Sequence, residues 1–319
     1  MSAAAIGSDV GVVFVSHRSG DLVEPRAAQM AAGGAEVVVV DNAGDLTSMA
    51  GATVIDAGVN VGFAAACNRG VEALDPSVRV VCFHNPDVDA SPNAIETLAE
   101  TVRGGVGIVG PAIRTAGRVR EHGLHYPSPS REVAFMARSV RRAGHGWATT
   151  ESTGRARTQR GIGRRFASGA LLVVDRSVFT ALDGFDETYF LYAEDLDLWH
   201  RIERARHRAV FEPKVTVDHV GAAGGAMSAG TRELLRWLGV EAFVERFAVG
   251  GWRPYRAVHR PFLTRVGADD RLVEAVQGAW RSGLAPRATL AALRPELERG
   301  DWSGESSVSR PRTAPSARP

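Results

Sequence analysis

Short, unbroken runs of β-branched residues alternate with helical stretches in the first hundred residues, and this alternation restricts the fold more than any other feature. The strand candidates are residues 12–16 (VVFVS), 36–40 (EVVVV), 53–56 and 78–83 (VRVVCF), and the helices between them are 23–32, 63–74 and 93–102. Strands with continuous apolar residues are usually covered on both faces. We therefore predict an α/β fold built on a mostly parallel, doubly wound sheet.

The second half of the chain divides into an ordered part and two segments of biased composition. Its predicted elements are an apolar strand at 170–174, a helix that begins near Asp175–Ser177, a helix at 194–206, a strand at 214–220 and an amphipathic helix at 231–249. In the first half, Ser91-Pro92-Asn93 likewise marks the start of the helix at 93–102. Residues 138–165 contain eight arginines and one acid and predict a mobile loop, and residues 303–319, rich in Ser, Pro and Arg, predict a disordered tail. We divide the chain into a first domain at 1–225, a helical extension at 226–302 and this tail.

Composition narrows the class of protein without naming a partner. The formal charge is only +2, and Lys214 is the only lysine, so the many arginines reflect a compositional bias. The arginine-rich loop lacks interleaved aromatic residues, which favours a flexible loop over a nucleic-acid surface. Two cysteines, Cys67 and Cys82, are too few for a disulfide framework or a zinc site, and we expect both to be buried.

The sequence has no feature of a secreted or membrane-spanning chain. Its first residues (MSAAAIGSDV) lack a basic and an apolar segment, and no run of about 18 apolar residues occurs. We predict a cytoplasmic protein whose membrane contact, at the inner face, is at most peripheral.

Polar side chains follow three of the predicted strands. The first strand continues into Ser16-His17-Arg18, the second into Asp41-Asn42, and the strand at 78–83 into residues 84–89 (HNPDVD). The carboxyl ends of parallel strands meet at one edge of a sheet, where ligands bind. The alternative is that Asp and Asn only end the strands as turn formers.

Two acidic residues lie two positions apart after the fourth strand. Asp87 and Asp89 supply hard oxygen ligands that suit Mg²⁺ or Mn²⁺ when a nucleotide diphosphate completes the coordination. Asn-Pro-Asp is also good turn chemistry, so the pattern alone leaves both interpretations open.

A glycine turn, Gly58 to Phe63, precedes the helix at 63–74. It has neither the spacing of a dinucleotide fingerprint nor a following Gly-Lys-Ser/Thr. It could bring the backbone close to a ligand, or it could be only a turn.

The densest acidic site is the start of the helix at 194–206. Glu194, Asp195 and Asp197 occupy its first turn, a placement that stabilises any helix through its dipole. The functional alternative is that one carboxylate accepts a proton from a substrate hydroxyl.

His219 lies on the same strand face as Val215 and Val217. A histidine there is either a core residue or a ligand for a metal or phosphate, and the glycines at 221–225 that follow would allow movement.

Taken together, these segments resemble the family 2 glycosyltransferases of GT-A fold, and within them the bacterial rhamnosyltransferase-like branch. The matching segments occur in the family's order and are VVVVDNAGD (37–45), NVGFAAACNRG (60–70), HNPDVDASPNAIETL (84–98), VGIVGP (106–111), ASGALLVVDRSVFTALDGFDETYFLYAEDLDLWHRI (167–202) and FEPKVTVDHVGAAGG (211–225). The region past about residue 226 carries no such likeness.

The resemblance implies a role for each matching residue. The residues that would bind the nucleotide sugar are Ser16, Arg18, Asp41, Asn60, Gly62, Asn85 and Asp87. Asp41 would contact the pyrimidine base. Asp87 would hold the divalent metal, Mg²⁺ or Mn²⁺, with Asp89 and His219 as further metal ligands.

The same resemblance implies the catalytic residues. Asp195 would be the general base, with Glu194 as the second candidate or as a contact to the acceptor. Ser168 and Gly169 would border the acceptor. Asp197, about half a turn from Asp195, is placed for structural pairing.

Three departures from the family pattern bear on these roles. The chain begins with VFVSHRSG where the family usually has a Thr-Tyr-Asn-Ser-like stretch. Asn85 occupies the position of the first Asp of the family's D-x-D motif. The segment after His219 lacks the usual second histidine.

The activity implied is an inverting transfer from a nucleotide sugar to an acceptor hydroxyl. The first donor candidate is dTDP-L-rhamnose and the second a UDP-hexose. A glycan, a lipid-linked sugar and a small molecule are all compatible acceptors. The sequence is also compatible with a homodimer. The alternatives are a sugar nucleotidyltransferase, which would need a Gly-rich phosphate loop at the first strand, and a non-catalytic carbohydrate-binding homologue.

Overall fold

A computed structural model of the chain describes residues 5–115, 117–120, 124–128, 130, 132, 165–220, 227–248 and 251–299. Its strands are β1 (Val10–Ser16), β2 (Glu36–Asp41), β3 (Thr53–Asp56), β4 (Val80–His84), β5 (Val88–Asp89), β6 (Ile108–Thr115), β7 (Arg118–Arg120), β8 (Leu124–His125), β9 (Arg165–Phe166), β10 (Leu171–Asp175) and β11 (Ala209–His219). Its helices are α1 (Gly20–Ala32), α2 (Phe63–Ala73), α3 (Pro92–Arg103), α4 (Arg176–Ala181), α5 (Glu194–Arg204), α6 (Ala229–Phe247), α7 (Arg253–His259), α8 (Asp270–Arg281) and α9 (Pro286–Arg299), with a 3₁₀ helix at Arg260–Arg265.

The described strands form a nine-stranded sheet in the order β3-β2-β1-β4-β10-β6-β11-β5, with β7 paired to β6. The pairs among β3, β2, β1 and β4 are parallel, as is β6 with β11, whereas β10, β5 and β7 are antiparallel to their neighbours. Strands β8 and β9 pair separately. The predicted α/β class and mostly parallel sheet are confirmed.

Valine-rich strands form the centre of this sheet because both of its faces are covered. Along β1, Val13 faces a cluster with α2 and α5, whereas Val12 and Phe14 face a cluster with α1 and α3. Burying each such side chain contributes about 1.5–3 kcal/mol. Gly70 of α2 packs on β1 so closely that a Cβ there would lie 2.3 Å from Val13 Cγ1.

Local sequence signals begin the helices that follow the central strands. The Ser91 side chain accepts a hydrogen bond from the Ala94 amide at the start of α3, where Pro92 is the first residue. Asp175 caps α4 by accepting from the Ser177 and Val178 amides. Both starts are the ones that the sequence predicts.

The antiparallel strand β10 lies between two parallel strands and determines which residues reach the ligand edge. Leu171 at its start pairs with His84 at the end of β4. Because β10 runs in the opposite direction, the residues before it, Ser168 to Ala170, lie at the edge where β1, β2 and β4 end. The apolar run predicts this strand but not its direction.

Helices α6 to α9 form a third core with residues 189–193. Its buried members include Tyr189, Phe190, Trp237, Leu263 and Leu293. These helices pack on the segment that leads into α5, so the C-terminal part of the chain abuts the acidic site. The division into domains at residues 225 and 226 stays a prediction.

A group of six charged side chains, here called the ionic cluster, lies between α6, α7 and residue 132, and all of them are buried except Arg236, which is partly buried. Its members are Glu132, Glu233, Arg236, Glu241, Arg256 and His259. The ring of His259 is fully buried, stacks on Trp237 at 5.0 Å, and has one nitrogen 3.0 Å from Glu241 and the other 3.4 Å from Glu132. Buried charges persist when each has an opposite partner, as here.

The predictions for the cysteines, for membrane-spanning helices and for the two segments of biased composition have separate outcomes. Cys67 and Cys82 are free and buried, as predicted. No helix in the described part of the chain is long and apolar enough to cross a membrane. The tail at 303–319 lies outside the described residues, and so does the loop at 138–165 apart from residue 165.

The ionic cluster predicts a pH-dependent stability. Burial alone would lower the pKa of His259, but the hydrogen bonds and charges of Glu132 and Glu241 raise it above its usual value. A raised folded-state pKa stabilises the fold below the unfolded value, about 6.5, and this contribution disappears as the pH rises through the folded pKa. We expect the free energy of unfolding, measured by urea titration with tryptophan fluorescence, to fall as the pH rises above about 6.5.

The variant Glu241→Gln removes one of the two carboxylates that hold the His259 proton and also weakens the Arg256 contact. It should lower the free energy of unfolding at pH 6 by about 3–5 kcal/mol and reduce its pH dependence. The exposed Glu274 provides the matched control, Glu274→Gln. An unchanged pH dependence in Glu241→Gln would mean that His259 is not the titrating group.

Candidate active site

The ends of four strands bring the predicted site residues to one edge of the sheet. Ser16 ends β1, Asp41 ends β2, His84 ends β4 and His219 ends β11. Parallel pairing places Ser16 directly beside Asp41. The edge predicted from the strand-ending residues is therefore present.

Asp41 shapes the loop that follows β2. Its side chain is fully buried, and its two oxygens accept hydrogen bonds from the Ala43 amide at 2.9 Å and the Leu46 amide at 2.7 Å. The carboxylate holds residues 42–46 in a tight turn at the end of the strand. Its predicted contact with a pyrimidine base stays a prediction.

Asn42 connects this turn to the glycine turn before α2. Its amide nitrogen donates to the Gly62 carbonyl at 3.3 Å, and its side-chain oxygen accepts from the Val61 amide at 3.4 Å. Asn60 fixes the same turn because its oxygen accepts from the Gly62 amide at 3.1 Å. No role was predicted for Asn42 from the sequence, although its position next to Asp41 could have indicated that it belongs to the site.

Gly62 cannot be replaced by a larger residue without a shift. Its φ is +83°, and a Cβ there would lie 2.5 Å from the Phe190 carbonyl oxygen. The Phe63 amide donates to that same carbonyl. The glycine turn therefore joins the edge of the sheet where β1 and β2 end to the segment that leads into α5.

Ser16 and Arg18 occupy different environments. The Ser16 hydroxyl is buried and lies 3.0 Å from the Ser19 hydroxyl. Arg18 is exposed and has a left-handed backbone with φ of 55°. Ser16 therefore supports the loop after β1, whereas Arg18 lies at the surface.

Asp87 and His219 form the candidate metal pair. Asp87 Oδ2 lies 3.0 Å from His219 Nε2 in a largely buried contact. Burial alone would raise the pKa of Asp87, but the hydrogen bond and charge of His219 lower it, so the carboxylate is ionised at neutral pH. The buried Asn85 Oδ1 has no hydrogen-bond partner in the described part of the chain.

This donor set fits a divalent cation. A carboxylate, an imidazole and an amide oxygen that lacks a partner are ligands that Mn²⁺ or Mg²⁺ accepts. Within the described ranges, no three His, Cys, Asp or Glu side chains are placed to hold an ion by themselves. Further ligands would have to come from a bound molecule such as a diphosphate. Asp89 is exposed on β5 opposite Asp218, and no contact joins it to the pair.

Asp195 is held at the N-terminus of α5 by backbone amides. Its Oδ2 accepts from the Gly169 amide at 2.7 Å, and its Oδ1 accepts from the Leu196 amide at 2.7 Å. Burial raises the pKa of Asp195, and these hydrogen bonds oppose the rise. A Cβ at position 169 would lie 3.0 Å from Asp195 Cβ, which explains the glycine. The carboxylate is thus fixed while its basicity is increased.

Glu194 lies in the interior. It is 4% exposed, and its Oε2 has no hydrogen-bond partner among the described residues. Burial, and then the charge of Asp195, raises the pKa of Glu194 well above its usual range, which favours the protonated form of this carboxyl. A buried carboxyl that lines no part of the cavity described below does not fit the acceptor contact predicted for Glu194.

Asp197 forms the structural pairs that its spacing predicts. Its carboxylate accepts from Arg201 at 2.5 Å and from Arg246 of α6 at 3.0 Å. The buried carboxylate of Asp197 therefore links α5 to α6 through an ion pair.

The backbone entering α5 is held in an unusual conformation. Tyr192 and Ala193 have φ of 72° and 73°, a left-handed region that costs non-glycine residues about 1–3 kcal/mol each. Gly239 of α6 packs directly on this turn, where a Cβ would lie 2.6 Å from the Tyr192 carbonyl oxygen and 3.0 Å from Ala193 Cβ. Helix α6 therefore fixes the turn that orients Asp195.

A cavity of about 350 Å³ is lined by both Asp195 and His219. It is also lined by Ser168, whose place at the acceptor border stays a prediction. Its apolar walls include Pro111, Ile113, Leu124, Phe166, Phe211 and Val240, and its remaining charged residues are Glu132, Arg232, Glu233 and Arg236. These four charged residues could not be predicted as part of the site, because helical spacing does not show which face of α6 meets the sheet.

A protein-family model described as glycosyltransferase like family 2 matches residues 1–239, which is well over half of the chain. The chain belongs to this glycosyltransferase family. Its strand order and mostly parallel sheet are accordingly those of the GT-A fold.

This family 2 glycosyltransferase has a curated relative in Mycobacterium tuberculosis, named N-acetylglucosaminyl-diphospho-decaprenol L-rhamnosyltransferase. The two are 32% identical over 185 residues, which cover 52% of this chain and 58% of that protein. A second strain of the same organism has an equally similar protein. The chain thus spans less than two thirds of the length of these relatives.

Solved structures of other glycosyltransferases resemble the chain more distantly. A mannosyltransferase from Pyrobaculum calidifontis, solved with GDP-Man and Mn²⁺, has a TM-score of 0.49 and 18% identity and covers 91% of this chain and 80% of its own. Glucosyl-3-phosphoglycerate synthase from Mycobacterium tuberculosis, solved with Mn²⁺, UDP-glucose and phosphoglyceric acid, has a TM-score of 0.45 and 17% identity and covers 72% and 79%. Likenesses at these scores carry no information about the site.

The Gly239 contact predicts that α6 positions the base. Gly239→Ala would force the turn at 192–193 or α6 to move, so we expect the kcat of sugar transfer to fall by about 10–100-fold. The dissociation constant for the donor nucleotide, measured by calorimetry, should stay within about two-fold.

Gly278→Ala on α8 is the matched control, because no atom lies within 4 Å of its built Cβ. It should keep full activity and gain up to about 1 kcal/mol of stability from helix propensity. Wild-type kcat in a folded Gly239→Ala variant would show that α6 does not position Asp195.

Proposed function

We propose that this chain is a metal-dependent, inverting glycosyltransferase that moves one sugar from a nucleotide-sugar donor to an acceptor hydroxyl. The observation that carries the proposal is the single cavity lined by both Asp195 and the His219 of the metal pair. A base and a leaving-group site facing one space are what a direct displacement at a sugar carbon requires. Family membership supports the same reaction class.

The proposed base is Asp195. It would accept the proton of the attacking hydroxyl as that oxygen forms the new bond to the anomeric carbon and the bond to the diphosphate breaks, which inverts the configuration. The raised pKa of Asp195 makes it a stronger base, while the deeper burial of Glu194 favours its protonated form and disfavours it as the base. The Gly169 amide holds the carboxylate in place during this step.

The proposed ligands of a divalent cation are Asp87, His219 and Asn85, with Asp89 as a further candidate, and the ion is Mn²⁺ or Mg²⁺. When bound, the ion would neutralise charge that develops on the leaving diphosphate. The ionised Asp87 and the buried, unpartnered Asn85 Oδ1 support this assignment.

The proposed donor is a pyrimidine nucleotide sugar, with dTDP-L-rhamnose first and a UDP-hexose second. The relative named as an L-rhamnosyltransferase supports the first choice. The turns fixed by Asp41, Asn42, Asn60 and Gly62 would form the nucleotide end of the site, and Ser16 and Arg18 would support its rim.

The proposed acceptor lies on the other side of Asp195, next to Ser168 and Gly169. A lipid-linked sugar is favoured by the relative, whose name contains a decaprenol-linked sugar, and a glycan or a small molecule are the other candidates. A lipid-linked acceptor would place the chain in the cytoplasm at the inner face of the membrane, with peripheral contact. A homodimer is compatible with these proposals.

Calorimetric titration of dTDP, UDP and GDP, each with and without Mn²⁺, tests the donor and the metal together. We expect dTDP or UDP to bind with Mn²⁺ and to lose most affinity in excess EDTA, because the diphosphate contact depends on the ion. Asp87→Ala should weaken binding at least about 10–100-fold. Asp270→Asn is the matched control, since Asp270 is exposed at the start of α8 and does not line the cavity. Binding of GDP alone, or full turnover in EDTA, would contradict the assignment.

Asp195→Asn tests the base. The substitution keeps the size and one of the two hydrogen bonds from backbone amides but removes the proton acceptor, so kcat should fall by about 10²–10⁴-fold with nucleotide affinity nearly unchanged. Glu194→Gln replaces a buried carboxyl, which does not line the cavity, by an amide of the same size and should keep most of the turnover. The reverse pattern, measured with the donor identified by calorimetry, would assign the base to Glu194.

A further inference from the structure

The charged residues of α6 that line the cavity differ in how they are paired. The guanidinium of Arg236 contacts the carboxylates of Glu233 at 2.7 Å and Glu132 at 3.2 Å. Burial alone would lower its pKa, but these two negative charges raise it, so Arg236 stays charged. Its charge is thus neutralised within the ionic cluster.

Arg232, one turn earlier on the same helix, lines the same cavity without such neutralisation. Its NH1 donates to the Met227 carbonyl at 2.8 Å, which anchors the side chain beside the cavity. No carboxylate pairs with it in the described part of the chain. A guanidinium has five N–H donors, and among the described residues only one of those of Arg232 has a hydrogen-bond acceptor, which leaves the others for a bound group.

The position of Arg232 favours the acceptor over the donor. Of the residues proposed for the donor and its metal, His219 lines this cavity, whereas Asp41, Asn42 and Gly62 do not; Ser168, at the proposed acceptor border, lines it as well. From Asp195, the cavity extends between the apolar walls of β6, β8 and β9 and the α6 face that carries Arg232. A molecule whose hydroxyl reaches Asp195 therefore extends towards Arg232.

We infer that Arg232 binds an anionic group, a phosphate or a carboxylate, on the acceptor. A guanidinium pairs with either group through two parallel hydrogen bonds, and it does so most strongly where water is partly excluded. Resting on the proposed function, this inference makes the acceptor a sugar that carries a negative charge. Arg232 becomes the residue that separates charged from neutral acceptors.

The test compares neutral and charged forms of the same sugar. Binding of N-acetylglucosamine, N-acetylglucosamine 1-phosphate, glucose and glucuronate would be measured by calorimetry on the full chain saturated with Mn²⁺ and the nucleotide that it binds, dTDP or UDP. Saturation occupies the metal pair, so the sugar probes report only the acceptor end. We expect at least one charged form to bind about 10-fold or more tightly than its neutral partner.

Variants at position 232 assign that preference. Arg232→Gln should remove the preference and leave nucleotide affinity within about two-fold, while Arg232→Lys, which keeps the charge but not the fork, should retain part of it. The exposed Arg281 provides the control, Arg281→Gln. Thermal melting would establish that each variant is folded, and Arg232→Lys carries the test if Arg232→Gln is not.

The outcomes separate this inference from the proposed function. Equal binding of charged and neutral sugars by the wild type would overturn the inference while leaving the proposed function intact. Loss of nucleotide binding in Arg232→Gln would assign Arg232 to the donor diphosphate and also overturn it. Failure of the wild type to bind dTDP or UDP at all would overturn both.

Discussion

The hydrogen bond from the Gly169 amide to Asp195 joins the sheet to the helix that carries the proposed base, and the site depends on it. It exists because β10 runs against its neighbours, which brings residues 168–170 to the edge where the parallel strands end. A parallel strand at this place would send these residues to the opposite edge. One reversed strand therefore places the contact to Asp195 at the edge of the sheet where Ser16 and Asp41 lie.

The C-terminal helices belong to the active site as much as the sheet does. Gly239 packs on the strained turn before α5, and Arg246 reaches the buried Asp197 inside that helix. On the nucleotide side, Arg294 of α9 donates to the Val61 carbonyl at 2.7 Å. The same helical unit thus contacts both ends of the site, which couples its packing to donor and acceptor geometry.

The sequence predicted the features that are written in local patterns. Continuous valine runs identified the parallel strands, and Ser91 and Asp175 marked the starts of α3 and α4. The direction of β10 could not be predicted, because a five-residue apolar run predicts a buried strand equally well in the parallel and the antiparallel orientation.

The sequence also could not predict which carboxyl group in the first turn of α5 is buried. Glu194 and Asp195 are adjacent and chemically alike, and only tertiary packing shows that Glu194 lies in the interior. The ionic cluster joins residues as far apart as 132 and 259, and no local pattern records such contacts. The roles assigned to individual site residues and the loop at 138–165 stay predictions.

The ionic cluster has a consequence for how this sequence can change over generations. Its three carboxylates, two guanidiniums and one imidazolium balance in charge, yet they come from three separate stretches of the chain. A single replacement leaves a buried charge without a partner, whereas a matched pair of replacements does not. Related sequences should therefore keep these six positions together or exchange them together for apolar residues, and substitutions at positions 132, 241 and 259 should be correlated.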